Sequence, residues 1–177
     1  MRRRTKTRTK KKPAAKSRSH EKKHREFMGR AIELSIHNVK QNRGGPFAAV
    51  VVKDGVVIAE GVNLVTRTMD PTAHAEVVVI REACRVLGTH DLAGCVIYTS
   101  CEPCPMCMGA IYWSRPARVF FGNTAEDAAE AGFDDAFIHR ELKQPHHKKK
   151  IKMTGMMRDE ALEAFRHWLE YPDKIRY

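Results

Sequence analysis

One histidine, one glutamate and two cysteines stand at a spacing that could hold a metal ion and move protons beside it. His74 and Glu76 form a His-x-Glu triplet, and Cys104 and Cys107 form a Pro-Cys-x-x-Cys segment that begins its pair 30 residues after the histidine. An imidazole and two thiolates are three ligands for Zn²⁺, and they leave one corner of a tetrahedral ion open for water. Zinc lowers the pKa of such a water towards about 7, and Glu76 could take up and return its protons. The pattern predicts a catalytic site, because a structural site would normally have a fourth protein ligand.

The ends of two helices must position these side chains. Cys104 and Cys107 are three residues apart, so both sulfurs lie on one face at a helix start, where Pro105 suits the first position. His74 and Glu76 diverge by about 200° on a regular helix, so both approach one metal only if it lies off the helix end. Two helix N-termini then point their positive dipole ends at the thiolates and the bound anion, which stabilises both.

A second Cys-x-x-Cys pair competes with this assignment. Cys101 and Cys104 have the same spacing as Cys104 and Cys107, so spacing alone leaves the choice open. Such a pair could also be a redox pair or half of a four-cysteine zinc site. We favour Cys107 as the ligand, because Cys101 precedes the proline and is expected to end the preceding strand. Cys84 and Cys95 are predicted to be small buried apolar side chains.

Composition limits the class of protein. The chain has 177 residues, which is enough for one domain with a real core and an appendage. Its five cysteines are odd in number and clustered, which argues against a disulfide framework and for a reducing compartment. No apolar run has the length of a membrane span, and no hydrophobic segment follows the basic N-terminus. We therefore expect a cytoplasmic protein that does not associate with membranes.

The positive charge of the chain is concentrated in residues 1–19. This segment holds ten lysines and arginines and no acid, so the net charge of +11 leaves only +1 for residues 20–177. Its composition predicts a disordered basic tail in front of a nearly neutral domain. The tail could contact nucleic acid weakly through counterion release, and a merely solubilising extension is an equal alternative.

Hydrophobic patterning predicts alternating strands and helices in residues 20–177. The predicted elements are a helix at 20–41, a hairpin with strands at 47–52 and 56–60, a loop at 61–71, a helix at 73–88, a strand at 96–99, the cysteine helix from 105 to about 114, a strand at 118–121, a helix at 124–132, a linker at 144–152 and a helix at 158–170. The order strand, helix, strand implies parallel pairing, with helices on both faces of the sheet. The site then lies at the carboxyl ends of the strands, where the cysteines stand.

Over about residues 25–140 the chain resembles the guanine deaminase branch of the cytidine deaminase-like superfamily. The pairing of His-x-Glu with Pro-Cys-x-x-Cys is the signature of zinc-dependent base deaminases and identifies only the superfamily. Segments 99–103 and 131–135 narrow the resemblance to this branch. The residues that carry it are Gly44–Phe47, Asn63, Asp70–Glu76, Thr99–Cys107, Gly109–Trp113 and Ala128–Asp135.

The resemblance implies a fold, a reaction and a set of site residues. The implied fold is a three-layer α/β/α domain with a five-stranded mixed sheet, in a homodimer that exchanges about residues 153–177. The implied reaction is the zinc-dependent hydrolysis of guanine to xanthine and ammonia. The implied residues are His74, Cys104 and Cys107 as Zn²⁺ ligands, Glu76 as proton shuttle, Asn63 as hydrogen-bonding partner of the purine, Phe47 as its stacking partner, Asp135 and Trp113 as pocket lining, and Tyr177 as the terminal residue that closes the partner's pocket.

Other functions share parts of this pattern. Guanosine deamination is the same chemistry on a nucleoside, and tRNA adenosine deamination would give the basic tail a use. The nearly neutral domain argues against tRNA, which needs many phosphate contacts from the folded surface. A zinc-stabilised nucleic-acid-binding module without catalysis would need a fourth ligand and leaves Glu76 without a role. We therefore favour guanine as the substrate.

Overall fold

The computed structural model describes residues 15–176 of the chain. The strands are β1 (Ala48–Lys53), β2 (Val56–Val62), β3 (Cys95–Cys101) and β4 (Arg118–Asn123). They form one mixed sheet in the order β2-β1-β3-β4, in which β3 and β4 are parallel and the other neighbours are antiparallel. The helices are α1 (Ala15–Lys40), α2 (Val65–Thr68), α3 (Ala75–Leu87), α4 (Pro105–Ser114), α5 (Ala125–Glu130), α6 (Ala136–Leu142) and α7 (Arg158–Glu170), with a 3₁₀ turn at His146–Lys148.

Helices cover both faces of the sheet, as the strand–helix order predicted. Along β1, Ala49 and Val51 belong to a buried cluster with α3 and α4, whereas Val50 and Val52 belong to a second cluster with α1. A strand that is buried on both faces is apolar at every position, which explains the continuous valine run. The three-layer α/β/α arrangement is therefore confirmed.

The predicted hairpin is also confirmed. β1 and β2 pair antiparallel, and the turn residues Asp54 and Gly55 have φ angles of 51° and 78°. Positive φ at both central residues is the type I′ turn that matches the twist of a two-residue hairpin. The hairpin brings the end of β2, and Asn63 after it, back beside the start of β1.

The expected fifth strand is a wrong prediction for the part of the chain that the structure describes. After β4 the chain forms α5, α6 and the 3₁₀ turn, and residues 149–157 pair with no strand and are almost entirely exposed. Residues 148–152 contain four lysines. These charges repel one another and leave no apolar face to bury, so this run does not add to the edge of β4.

The start of α1 also differs from the prediction. The helix begins at Ala15, so its first five residues fall within the segment predicted as a tail. Alanine and lysine favour helix, and the helix only needs to extend backwards from a nucleus that packs on the sheet. The rest of the predicted tail, residues 1–14, lies outside the described residues. Patterning also missed α2 and α6, which are short and have no buried residues.

Gly61 lets α3 lie close against β2. A Cβ atom at this glycine would lie 2.8 Å from the Ala75 carbonyl oxygen and 2.8 Å from the Val79 amide nitrogen. Both contacts are far shorter than van der Waals distance, and both are to backbone atoms that cannot rotate away. Because α3 begins at Ala75, this close approach involves the first residue of the helix.

The C-terminal helix α7 keeps an apolar face exposed. Phe165, Trp168 and Leu169 are 67%, 41% and 68% exposed, and α7 has no buried residue. Within residues 15–176, none of the helices has both the length and the apolar character that crossing a membrane requires.

Candidate metal centre and adjoining cavity

Two helix starts carry the predicted ligands. His74 is the N-cap residue of α3 and Cys104 is the N-cap residue of α4, each with extended backbone geometry. Pro105 occupies the first turn of α4, where its missing N–H leaves no hydrogen bond unmade. Glu76 lies in the first turn of α3. The metal position implied by these residues therefore lies off two helix ends, as the His-x-Glu spacing required.

The three donor atoms converge. His74 Nδ1 lies 3.6 Å from Cys104 Sγ and 3.5 Å from Cys107 Sγ, and the two sulfurs are 3.5 Å apart. A tetrahedral zinc ion, with Zn–N near 2.0–2.1 Å and Zn–S near 2.3 Å, holds such donors about 3.5–3.8 Å apart. No fourth His, Cys, Asp or Glu donor joins the group within residues 15–176. The donor set therefore fits a three-ligand zinc site.

The geometry resolves the choice between the two cysteine pairs. Cys101 is the last residue of β3, and its Sγ donates to the Thr124 carbonyl at 3.5 Å, apart from the metal donors. Burial raises the pKa of the Cys101 thiol to about 11, so it stays protonated. Cys95 is fully buried, which confirms it as a core side chain, whereas Cys84 is only half-buried and packs against the same apolar cluster.

The three donor groups shift one another's pKa values. The pKa of Cys104 falls to about 4, first because Cys107 shares its proton with that sulfur and then because His74 lies beside it. The pKa of Cys107 rises, since it holds the proton beside the Cys104 thiolate. The Cys104 contact is also the main cause that raises the pKa of His74. A bound cation would displace the remaining protons, because metal ligands bind deprotonated.

Glu76 is an acid buried next to these donors. Its side chain is only 5% exposed, and burial raises its pKa, against the hydrogen bonds that lower it. Its Oε1 accepts a hydrogen bond of 2.7 Å from the Thr99 hydroxyl, and its Oε2 lies 3.4 Å from Cys107 Sγ. A carboxyl group with raised proton affinity is suited to general acid and base work near neutral pH.

A cavity of about 350 Å³ opens beside the donors. Three of the residues implied to contact a purine line it, namely Phe47, Asn63 and Asp135. Patterning did not single out Phe133 as a site residue, yet its ring meets the Phe47 ring edge-on at 4.9 Å between centroids. Its only signal was its place in the branch-specific segment 131–135. The full lining is Gly45, Phe47, Asn63, Val65, Thr66, His74, Glu76, Cys101, Glu102, Cys104, Ala125, Ala128, Phe133 and Asp135.

The side chains of residues 15–176 that line this cavity do not include Trp113. It is 65% exposed near the end of α4. It follows Cys107 by six residues, which turns it by about 240° from the face that carries the sulfur. Its expected place in the pocket therefore stays a prediction. Tyr177 lies outside the described residues.

Asn38 joins the two loops of the cavity and was missed by patterning. Its side chain is 1% exposed, and its Nδ2 donates to the carbonyls of Gly45 and Asn63 at 2.9 and 3.0 Å. These carbonyls belong to the segments that present Phe47 and the Asn63 amide. A buried amide on the sheet-facing side of α1 was the available signal, because such a group needs partners.

The comparisons with known proteins agree with this geometry. A family model described as the cytidine and deoxycytidylate deaminase zinc-binding region matches residues 21–123. The guanine deaminase of Bacillus subtilis (strain 168) is 51% identical over 154 residues, which cover 87% of this chain and 99% of that protein. A tRNA-specific adenosine deaminase of Aquifex aeolicus is 39% identical over 118 residues, which cover 67% of this chain and 76% of that protein.

The fold agrees as well. The solved structure of the Bacillus subtilis guanine deaminase superposes with a TM-score of 0.85 at 51% identity, over 87% of this chain and 98% of that one. The matched region contains the His-x-Glu triplet, the cysteine pair and the two helices that carry them. The chain therefore belongs to the cytidine and deoxycytidylate deaminase family.

Proposed function

We propose that this protein is a zinc-dependent hydrolase that converts guanine to xanthine and ammonia. The observation that carries the proposal is the convergence of His74, Cys104 and Cys107 beside a cavity that His74, Cys104 and Glu76 line. The 51% identity to a protein named guanine deaminase, over 87% of this chain, supports guanine as the substrate.

The roles follow from the donor chemistry. His74, Cys104 and Cys107 would hold Zn²⁺, which supplies an activated water at neutral pH when it is bound. Glu76 would carry the two protons of the water in turn: its carboxylate would accept the first and pass it to a ring nitrogen of the purine, and would then accept the second and pass it to the departing amine. In the net reaction one water oxygen replaces the amino group at C2 of guanine, and ammonia leaves.

The cavity walls offer complementary groups for a purine. We propose that the ring of Phe47 stacks on the purine face and that the Asn63 amide hydrogen-bonds its polar edge. The Asp135 carboxylate would accept from N–H groups, which guanine presents on its ring and its amine. The half-buried position of Asp135 beside the cavity supports this role. Tyr177 is proposed to close the cavity of a partner subunit.

We propose that the protein is a homodimer that exchanges about residues 153–177. The exposed apolar side chains of α7 support this proposal, because contiguous exposed apolar surface commonly marks an interaction site. Trp113 and Tyr112, which are 65% and 76% exposed on α4, add to the apolar surface available to a partner.

The remaining proposals concern the surroundings of the enzyme. We propose a reducing, cytoplasmic location, which fits the five free thiols, two of which would bind metal. Residues 1–19 are proposed to contact nucleic acid weakly through their ten cations, in front of a deaminase domain at 20–177. Loss of binding as salt rises, and on removal of the cations, would test this contact.

A substrate panel tests the function directly. Ammonia release is measured with guanine, with guanosine and with a tRNA that carries adenosine at position 34. Each substrate is tested with zinc-loaded protein and with the same protein after chelation. We expect release from guanine that disappears on chelation and returns with Zn²⁺. Faster ammonia release from guanosine than from guanine would make the nucleoside the proposed substrate. Inosine formation in tRNA without release from guanine would overturn it.

A further inference from the structure

We propose that Thr99 is a positioning residue that holds the Glu76 carboxylate in its working orientation. This inference rests on the proposed function of Glu76 as the proton shuttle. Thr99 is fully buried in β3, and its hydroxyl donates to Glu76 Oε1 at 2.7 Å. Within residues 15–176 the hydroxyl has no hydrogen bond to His74, Cys104 or Cys107. It would therefore act through Glu76 and not on the metal.

The contact divides the two oxygens of Glu76 between two tasks. Oε1 is bound by the Thr99 hydroxyl, whereas Oε2 lies on the side of the metal donors, 3.4 Å from Cys107 Sγ. Rotation of the carboxylate would break the Thr99 bond and leave a buried polar atom without its partner, which is unfavourable. Oε2 is therefore the oxygen left to exchange protons.

The strand makes Thr99 a rigid support. Thr99 pairs with Ala49 of β1 on one side and with Phe121 of β4 on the other, so its backbone is fixed from both directions. Groups held by strands are placed more accurately than groups held by loops. The branched Cβ of threonine also restricts χ1, which limits the directions that the hydroxyl can take.

The surroundings of Thr99 show that its hydroxyl is not there for packing alone. On the same face of β3, Cys95 and Ile97 are fully buried in the apolar cluster beneath α3 and α4. An apolar side chain would suit this face, and a buried hydroxyl is stabilised only by its acceptor. That acceptor is the carboxylate of Glu76.

Two substitutions separate the hydroxyl from the shape of the side chain. Thr99→Val keeps the branched shape and removes the donor, whereas Thr99→Ser keeps the donor and loses a methyl group. We expect Thr99→Val to lower kcat for guanine about 10–100-fold, with KM and zinc content close to wild type. Thr99→Ser should recover most of kcat. A Thr99→Val protein with wild-type kcat, or one no worse than Thr99→Ser, would overturn the proposal, as would loss of zinc from Thr99→Val.

A second readout does not depend on turnover. Crystal structures of zinc-loaded wild type and Thr99→Val are compared at the Glu76 carboxylate, which is expected to rotate or to adopt several orientations in the variant. His74, Cys104 and Cys107 should stay in place. An unmoved carboxylate would overturn the positioning role. If wild type released no ammonia from guanine, the proposed function would fail, and this structural comparison would still decide the role of Thr99.

Discussion

At Glu76, burial and hydrogen bonding act on one carboxyl group in opposite directions. Burial raises its pKa, the Thr99 hydroxyl lowers it, and the pKa stays above its ordinary value of 4.5. The group therefore keeps a proton more readily than an exposed glutamate does. This is the property that a residue needs if it must both remove a proton and give it back.

Glu76→Gln is expected to remove turnover and keep the metal. The amide has the shape of the carboxyl group but cannot take up a proton, so kcat for guanine should fall by about 10²–10⁴-fold. Zinc content, measured by metal analysis, should match wild type, because the three donor atoms are untouched. A variant with wild-type rates would contradict the assignment of Glu76 as the shuttle.

Spacing, together with the predicted helix starts, indicated which side chains could hold a metal, since neighbours in a helix turn have a fixed geometry. His74, Cys104 and Cys107 meet as their positions at helix starts required. Thr99 and Phe133 gave no such signal, because their partners lie on other elements and come together only through the fold.

At the scale of elements, an ion pair links α1 to the edge strand β2. Arg30 Nε and Nη2 donate to the two carboxylate oxygens of Glu60 at 2.7 and 2.8 Å. This bidentate contact lowers the pKa of Glu60 below its ordinary 4.5. The pair therefore stabilises the folded state at pH values above the ordinary pKa of 4.5. Its contribution is lost as the pH falls through the lower pKa that Glu60 has in the folded state.

Glu60→Gln is expected to lower the melting temperature at neutral pH and to match wild type in acid. The loss should be about 0.2–1 kcal/mol in the free energy of unfolding, because the pair is partly exposed and screened by solvent. Thermal denaturation across acid to neutral pH measures it. Glu33→Gln is the matched control, since Glu33 contacts Arg30 within the same helix and does not reach the sheet. A difference in melting temperature between wild type and Glu60→Gln that stays constant with pH would contradict the ion-pair explanation.

Element boundaries were predictable where a local signal ends the helix. Gly88 ends α3 in the left-handed region at φ 65°, close to the predicted stop. α6 was missed because its seven residues carry no strong stripe. The fifth strand was expected from resemblance, and the lysines of residues 148–152 leave that run no apolar face to bury against the edge of β4.

At the scale of the whole molecule, the apolar face of α7 gives the dimer proposal a direct test. Phe165→Asp should shift the protein from dimer to monomer in light scattering, because it places a charge in the proposed interface. His167→Asp is the matched control, since it adds the same charge about 200° around the same helix. Equal masses for wild type and Phe165→Asp would contradict the proposed exchange, as would a monomeric wild type.

Gly61 would make metal binding by His74, Cys104 and Cys107 depend on a position that supplies no ligand to the metal. A methyl group there would strike the backbone of Ala75 and Val79 and push the first turn of α3 outward. The imidazole of His74 would move with that turn, while the sulfurs on α4 would stay behind. A substitution at Gly61 would therefore weaken metal binding by displacing α3, although all three ligand side chains would still be present.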